Sequence, residues 1–267
     1  MGQSNGEFVK YPSTPHLWNE ELRVALAEKR LALGIKKKED EMQSLAMTRA
    51  LLGRDDCTYV WESKLDGTNV GISFSDGEQL FLQNRGHELK AGEHPQYGLF
   101  RNWAYTILMD MQKVLGKRYV MFGEWLNALH TVEYKTLPHY FFEFDVWDKE
   151  KQYFFDTESR QIMLSHLVKR NCLQQVPVVH TGKLTYEEAL KLMNHAPYFG
   201  EEKPEGLYLK IEQGGVTVER YKLVRPDFVQ TIIDGNEAGE DHWSHKQMVV
   251  QGLAPGVDIT KPLPDEQ

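Results

Sequence analysis

Cysteine is scarce: Cys57 and Cys172 are the only two in 267 residues, far apart and without the spacing of a metal site. A disulfide framework is therefore not expected, and two reduced thiols in an intracellular, cytoplasmic protein are. Long apolar runs are missing too, and none approaches the ~18 residues that a membrane span needs. Residues 1–7 have neither a basic start nor an apolar core, which argues against a secretory signal. The sixth position is Gly6, not the Ser or Thr of a myristoylation signal. Positive charge is also short, with 31 Lys and Arg against 39 Asp and Glu and a net charge of −8. Non-specific nucleic-acid binders neutralise phosphate with a basic excess, so tight non-specific binding is not expected. Local clusters at Lys36–Lys38, Lys113–Arg118, Lys169–Arg170 and Arg220–Arg225 still leave room for a basic groove.

What is present is ordinary for a globular chain, with 41% hydrophobic and 26% charged residues. At this length one large domain with short extensions can bury most of its unfolded surface. Asn19 caps a predicted helix running to Leu33, with apolar Leu22, Val24, Leu26 and Leu31 and a stop at Gly34. A second helix is predicted over about 37–52, ending at Gly53. Strand patterns follow at 58–63, 69–74 and 79–83, with a turn at Ser75-Asp76-Gly77-Glu78. A helix over about 99–115 carries Trp103, Ile107 and Met111 at helical spacing. Tyr119–Trp125 and Tyr140–Trp147 read as buried strands. Thr157 caps a helix to about Lys169, and Thr185-Tyr186-Glu187-Glu188 forms a capping box for another to about His195. Two last strands, 207–212 and 216–224, flank Gln213-Gly214-Gly215. The tail from Gly252 is rich in Pro, Gly and acids and is expected to be irregular. Strands in the middle, with helices inserted between hairpins, predict an α+β fold rather than a parallel doubly wound sheet.

Lys64-Leu65-Asp66-Gly67 stands where the strand Tyr59–Ser63 runs out into a turn. Alternation puts Val60, Glu62 and Lys64 on one face, and Asp66 and Gly67 turn the backbone so that the amine is presented rather than packed. A lysine titrates near ~10.4, and desolvation with neighbouring cations would lower that value and make it a nucleophile. A surface hairpin lysine beside an Asp-Gly turn is the plainer alternative. Val218, Arg220, Lys222 and Val224 share parity, which suits either a solvent-facing strand or a polyphosphate cradle that depresses a nearby lysine. Lys210, after Pro204-Glu205-Gly206, adds a third cation. Glu124 shares a face with Val120 and Phe122, where a carboxylate is costly to bury unless bonded. A helix cap, an arginine or ribose hydroxyls would each serve. Phe142 and Phe144 share one face, Glu143 and Asp145 the other; such aromatics are core, or one of them is a stacking platform for a purine. Arg85, in Asn84-Arg85-Gly86, fits a loop or a ligand contact.

Taken in order, six short stretches form a series: Lys64–Gly67, Asn84-Arg85-Gly86, Phe122-Gly123-Glu124-Trp125, Phe142-Glu143-Phe144-Asp145, Glu205–Lys210 and Arg220-Tyr221-Lys222. The series resembles the covalent nucleotidyltransferases, the superfamily of polynucleotide ligases and RNA-capping enzymes, and most closely an ATP-dependent RNA ligase. The likeness covers about Thr58–Arg225, and Phe8–Leu17 is similar to the opening of some microbial RNA ligases, with His16 read as structural. It implies a nucleotidyltransferase fold of mainly antiparallel sheets flanked by helices. Residues 1–57 would be a largely helical extension, 58–228 the nucleotidyltransferase domain and 229–267 a short extension.

The resemblance implies that Lys64 attacks the α-phosphorus of ATP to give lysyl-AMP, with Mg2+ (or Mn2+) neutralising the triphosphate. AMP then passes to an RNA 5′-phosphate, and a 3′-hydroxyl displaces it. Arg85 resembles the arginine near the ribose and the polynucleotide end, Glu124 the ribose-binding glutamate and Phe144 the stacking aromatic. Glu205 resembles the acid that supports metal and lysine positioning. Lys210, Arg220 and Lys222 resemble the phosphate-contacting cations, with Lys210 and Lys222 counted as catalytic beside Lys64. Glu62, on the face of Lys64, completes the ATP-binding set.

DNA ligases and capping enzymes carry an OB domain of about 100 residues after this series. Only 42 residues follow Arg225 here, so no such domain is expected and an RNA ligase is favoured. Many RNA ligases add a helical domain that recognises the 5′-phosphate end; its work would fall to residues 1–57 or to a protein partner. Arg220 stands where a lysine is common. The alternatives are a GTP-using capping guanylyltransferase, a small DNA ligase, or a non-catalytic homologue that binds RNA or nucleotide.

Overall fold

The computed structural model describes residues 8–32, 40–76, 78–229 and 248–264. The Lys36–Lys38 cluster, the Gly34 stop and Gly77 of the predicted turn lie outside the described residues, as do the first seven residues, the last three and 230–247. Six helices and ten strands occur among the residues described. The strands form one sheet that falls into two halves. The first half is β3 (Leu80–Asn84), β2 (Thr68–Phe74), β4 (Tyr119–Trp125) and β5 (Phe141–Asp148), with two-residue β7 (Gln174–Gln175) parallel to β5. The second is β10 (Val216–Val224), β9 (Gly206–Gln213), β1 (Thr58–Lys64) and β8 (Val178–Thr181), and the short β6 (Tyr153–Phe155) joins β5 to β10.

Each half buries one face under helices. Behind the first lie α3 (Pro95–Thr106), α4 (Leu108–Leu115) and α5 (Thr157–Lys169). There Trp103 stacks on Phe141 at 4.8 Å, and Phe100 meets Trp125 edge-on at 5.1 Å. Burying aromatic side chains of this kind contributes roughly 1.5–3 kcal/mol each. Behind the second half lie α2 (Leu45–Leu52) and α6 (Tyr186–Leu192), against Tyr59, Trp61, Leu207, Leu209 and Ile211. The odd-numbered residues of β1 and β9 are thereby spent on the core. The even-numbered Glu62, Lys64, Tyr208 and Lys210 are left on the other face.

Between those inner faces lies a buried ion network. Arg160 of α5 donates to both oxygens of Glu143 on β5, at 2.8 and 2.9 Å, and to Glu62 on β1 at 2.6 Å. Lys210 of β9 pairs with Glu62 at 2.9 Å and with Asp145 on β5 at 3.2 Å. Arg220 of β10 donates to Asp145 at 2.9 Å, and Tyr11 donates to the same carboxylate at 2.5 Å. Three cations thus neutralise three carboxylates across the seam.

Several sequence-based boundaries shift. The 99–115 helix is two helices broken at Ile107, and the first begins earlier behind Pro95. Asp156, not Thr157, caps α5, since its carboxylate accepts the Ser159 N–H at 2.8 Å. The capping box at Thr185 and Glu188 is present. α1 (Glu20–Ala32) starts after Asn19 as expected and buries Leu22, but Val24 and Leu31 are exposed and Ala25 packs instead. α2 starts only after Ser44, and residues 40–43 run extended beside His16. The described tail has no helix or extended strand, yet it is packed. Gln251 bonds the backbone at Val132 and Tyr134 through its side chain and accepts from the Tyr140 hydroxyl through its carbonyl.

If the ion network joins the two halves, Arg160→Met should cost about 3–5 kcal/mol, because it leaves Glu62 and Glu143 buried without their shared partner. Urea denaturation measures this. A loss within the roughly 0.5 kcal/mol scatter of surface substitutions would contradict it.

Candidate active site

A cavity of about 630 Å³ opens between the half-sheets above the network. Lys64, the last residue of β1, projects into it beside Gly206, its register partner on β9. Gly206 has φ +159°, and a Cβ there would lie 2.1 Å from the Leu223 carbonyl oxygen, so no larger residue fits between Lys64 and β10. The Lys64 ammonium donates to Glu205 Oε2 at 2.6 Å. Gly67, where a Cβ would lie 2.6 Å from Leu126 Cδ2, brings its N–H to within 3.1 Å of Glu124 Oε1. Asp66 turns away, and its carboxylate accepts from the backbone N–H groups of Thr131 and Val132 at 2.7 and 2.8 Å. The acid of the motif therefore ties β1 to the loop after β4.

Glu62, Lys64, Arg85, Glu124, Phe144 and Lys222 all line the cavity, and Glu205 reaches it through Lys64. Arg85 is held on a turn in which the Asn84 carboxamide accepts from the N–H groups of Gly86 and His87, at 2.8 and 2.9 Å. Phe144 is half-buried, with Tyr11 against its edge at 5.4 Å.

Two expected phosphate contacts are elsewhere. Lys210 is fully buried, bound to Glu62, Asp145 and the Phe144 carbonyl, and does not line the cavity. Arg220 shares the face of Lys222 but folds over the Phe154 ring, 3.7 Å from its centroid, onto Asp145. Burial raises the Asp145 carboxyl, but Lys210 and Arg220 outweigh it and hold the group down at about 2. Neither side chain lines the cavity in this structure.

The electrostatics of Lys64 also differ from expectation. Burial works to lower its pKa, but Glu205, Glu124 and Asp66 outweigh it and hold the ammonium above its ordinary value. Neighbouring cations do not set its charge in this state. The strain falls on the acids instead. Burial, with Glu205 and Asp66 close by, pushes Glu124 up to about 8, and burial raises Glu205 as well. Burial and the nearby Lys64 lower Lys222.

Sequence reasoning missed Tyr11, Thr14, Asp40, Thr68, Tyr97, His130 and Tyr208, all of which line the cavity. Tyr208 was readable, since it shares parity with Lys210 on β9 and pairs with both Glu62 and Lys222. Tyr11 and Asp40 arrive through tertiary contacts that no local pattern marks.

A family model described as RNA ligase matches residues 58–224, and the chain belongs to the RNA ligase family. Solved structures of a Naegleria gruberi RNA ligase are similar. One variant without ligand is 15% identical with a TM-score of 0.57, covering 88% of this chain and 63% of that one. A variant with ATP and Mn is 15% identical with a TM-score of 0.54, covering 84% and 62%. The same ligase with PPi is 17% identical with a TM-score of 0.55, covering 88% and 64%. At such identity the likeness shows the fold, which is the expected α+β arrangement of antiparallel strands flanked by helices. This chain spans less than two thirds of each of those chains. No curated protein matches it.

The raised Glu124 has a consequence for stability. An unfolded glutamate loses its proton near its ordinary value, whereas the folded one keeps it to about 8. Between those values the folded state binds more protons, so stability falls as pH rises through the window. Glu124→Gln should make the decline in unfolding free energy between roughly pH 5 and pH 8 shallower than in the wild type. Equal slopes in denaturant titrations at several pH values would contradict the assignment.

Proposed function

We propose that this chain is an ATP-dependent RNA ligase that joins 5′-phosphate and 3′-hydroxyl RNA ends through lysyl-AMP and adenylylated RNA. The observation that carries the reading is Lys64, held at a strand end inside a cavity that Glu124, Phe144, Arg85 and Lys222 also line. The Lys64 Nζ lone pair forms the bond to the α-phosphorus, the bond from that phosphorus to the pyrophosphate oxygen breaks, and the amine loses a proton. An oxygen of the RNA 5′-phosphate then takes the AMP group from Lys64. Finally the 3′-hydroxyl oxygen attacks the activated end, and AMP leaves. Phe144 offers a face for the base, Glu124 a carboxyl group for ribose hydroxyls, and Lys222 a cation for phosphate.

A divalent ion fits the chemistry of this site. Glu205, Glu124 and Asp66 crowd one lysine, and burial raises all three carboxyl groups, which a cation would relieve. No group of three metal-ligating side chains occurs among the described residues. The ion would therefore sit mainly on nucleotide phosphates and water, as Mg2+ commonly does, with Glu205 as the protein ligand. It would supply charge neutralisation of the triphosphate. Were Glu205 to hold the ion, Lys64 would lose its nearest anion, which favours the neutral amine.

Transfer of GTP or sealing of DNA is the second reading, and nucleotide choice and nick type separate it from the first. Incubation with labelled ATP and Mg2+ tests the central step. Wild type should gain an acid-labile, hydroxylamine-sensitive label, and Lys64→Ala should gain none above background. Equal labelling of the two, or nucleotide binding with no label, would overturn the reading.

A further inference from the structure

Lys64 is the last residue of β1, so the sheet fixes its backbone on one side only. On the other side, the turn Leu65-Asp66-Gly67 leans on the loop between β4 and β5. Asp66 N–H donates to the Tyr134 hydroxyl at 2.9 Å, and the Asp66 carboxylate accepts from the Thr131 and Val132 N–H groups at 2.7 and 2.8 Å. The same loop carries His130 to the cavity wall, where its Nε2 lies 3.3 Å from Thr68 Oγ1. Residues 126–140 contain no helix and no strand beyond isolated bridges. Such a stretch takes its order from whatever pairs with its backbone.

Residues 249–252 supply that pairing. Leu129 N–H donates to the Val249 carbonyl at 2.8 Å and Gln251 N–H to the Asn127 carbonyl at 2.9 Å. Gly252 N–H donates to the Tyr134 carbonyl at 2.8 Å, and a Cβ at Gly252 would stand 2.6 Å from the Lys135 carbonyl oxygen. The Gln251 side chain then clamps the loop. Its Oε1 accepts from Tyr134 N–H and its Nε2 donates to the Val132 carbonyl, both at 2.8 Å. Val132 thus gives its N–H to Asp66 and its carbonyl to Gln251, while Tyr134 gives its N–H to Gln251 and its hydroxyl oxygen to Asp66. Gln251 and Asp66 are both buried, so a partner lost there is not replaced by bulk water. On the ligase reading, we infer that Gln251 is a positioning residue for nucleotidyl transfer. It fixes Val132 and Tyr134, these fix Asp66, and Asp66 fixes the turn from which Lys64 reaches the α-phosphorus. Gln251 itself does not line the cavity. Transfer is sensitive to such support, because a misplacement of about 1 Å costs about a hundredfold in rate.

Single-turnover labelling of the full chain with ATP and Mg2+ tests the route. Gln251→Ala should lower the rate constant at saturating ATP by about tenfold to a hundredfold. The half-saturating ATP concentration should stay within about threefold of wild type, and the final extent of labelling should be unchanged. That split separates positioning from folding, since a less folded protein labels to a lower extent at the wild-type rate. Gln251→Glu keeps the size and the acceptor for Tyr134 but sets a carboxylate oxygen against the Val132 carbonyl, and it should be slowed too. Tyr134→Phe removes only the hydroxyl that meets Asp66; it should slow labelling in the same way, and it carries the test if the Gln251 variants do not fold. Combined with Gln251→Ala, its effect should fall short of the product of the two, as for groups acting through one partner. Wild-type rate constants in these variants, a lower extent at an unchanged rate, a change confined to half-saturating ATP, or fully multiplicative effects would overturn the inference. A wild type that takes no label refutes the ligase reading instead.

Discussion

Three acids and three bases buried between two half-sheets set the geometry of everything above them. Glu62, Glu143 and Asp145 are held by Arg160, Lys210 and Arg220, and these six residues come from β1, β5, β9, β10 and α5. Such a network is costly to desolvate and adds little stability compared with an apolar core. Its value is registration. Glu62 forms both the top of the network and part of the cavity wall, and Phe144 gives its carbonyl to Lys210 while its ring lines the cavity. A shift of one half against the other would break several charged contacts at once.

The cavity itself inverts the simplest picture of an activated lysine. Glu205, Glu124 and Asp66 outweigh burial and hold Lys64 as an ammonium. The acids around Lys64 and Lys222 accord with the chain's net charge of −8. Its basic groups at the cavity face acids. Asp40 over Lys222 and Glu205 over Lys64 are two instances of the same arrangement.

The residues of the central series were legible because strand alternation is a strict code. Lys64, Glu62, Glu124 and Lys222 point as their parity requires, and the hairpin between β9 and β10 falls where Gly214-Gly215 puts it. Parity fixes a face, however, and not a partner. Arg220 shares its face with Lys222, yet Asp145 claims it, and Lys210 lies deeper along β9 where Glu62 and Asp145 meet it. The extended run 40–43 was read as helix because its residues favour helix in isolation. Tertiary hydrogen bonds to His16 override that preference and bring Asp40 into the site. Strands β6, β7 and β8 are two to four residues long, too short for periodicity to register.

The charge state of Lys64 in the nucleotide-free protein is the point on which the account turns. An NMR titration of the Lys64 side chain, assigned with Lys64→Arg, reads it directly. The account predicts a pKa above that of a free lysine, falling when Glu205→Gln removes its nearest anion. A neutral amine at pH 7 in the nucleotide-free wild type would contradict it.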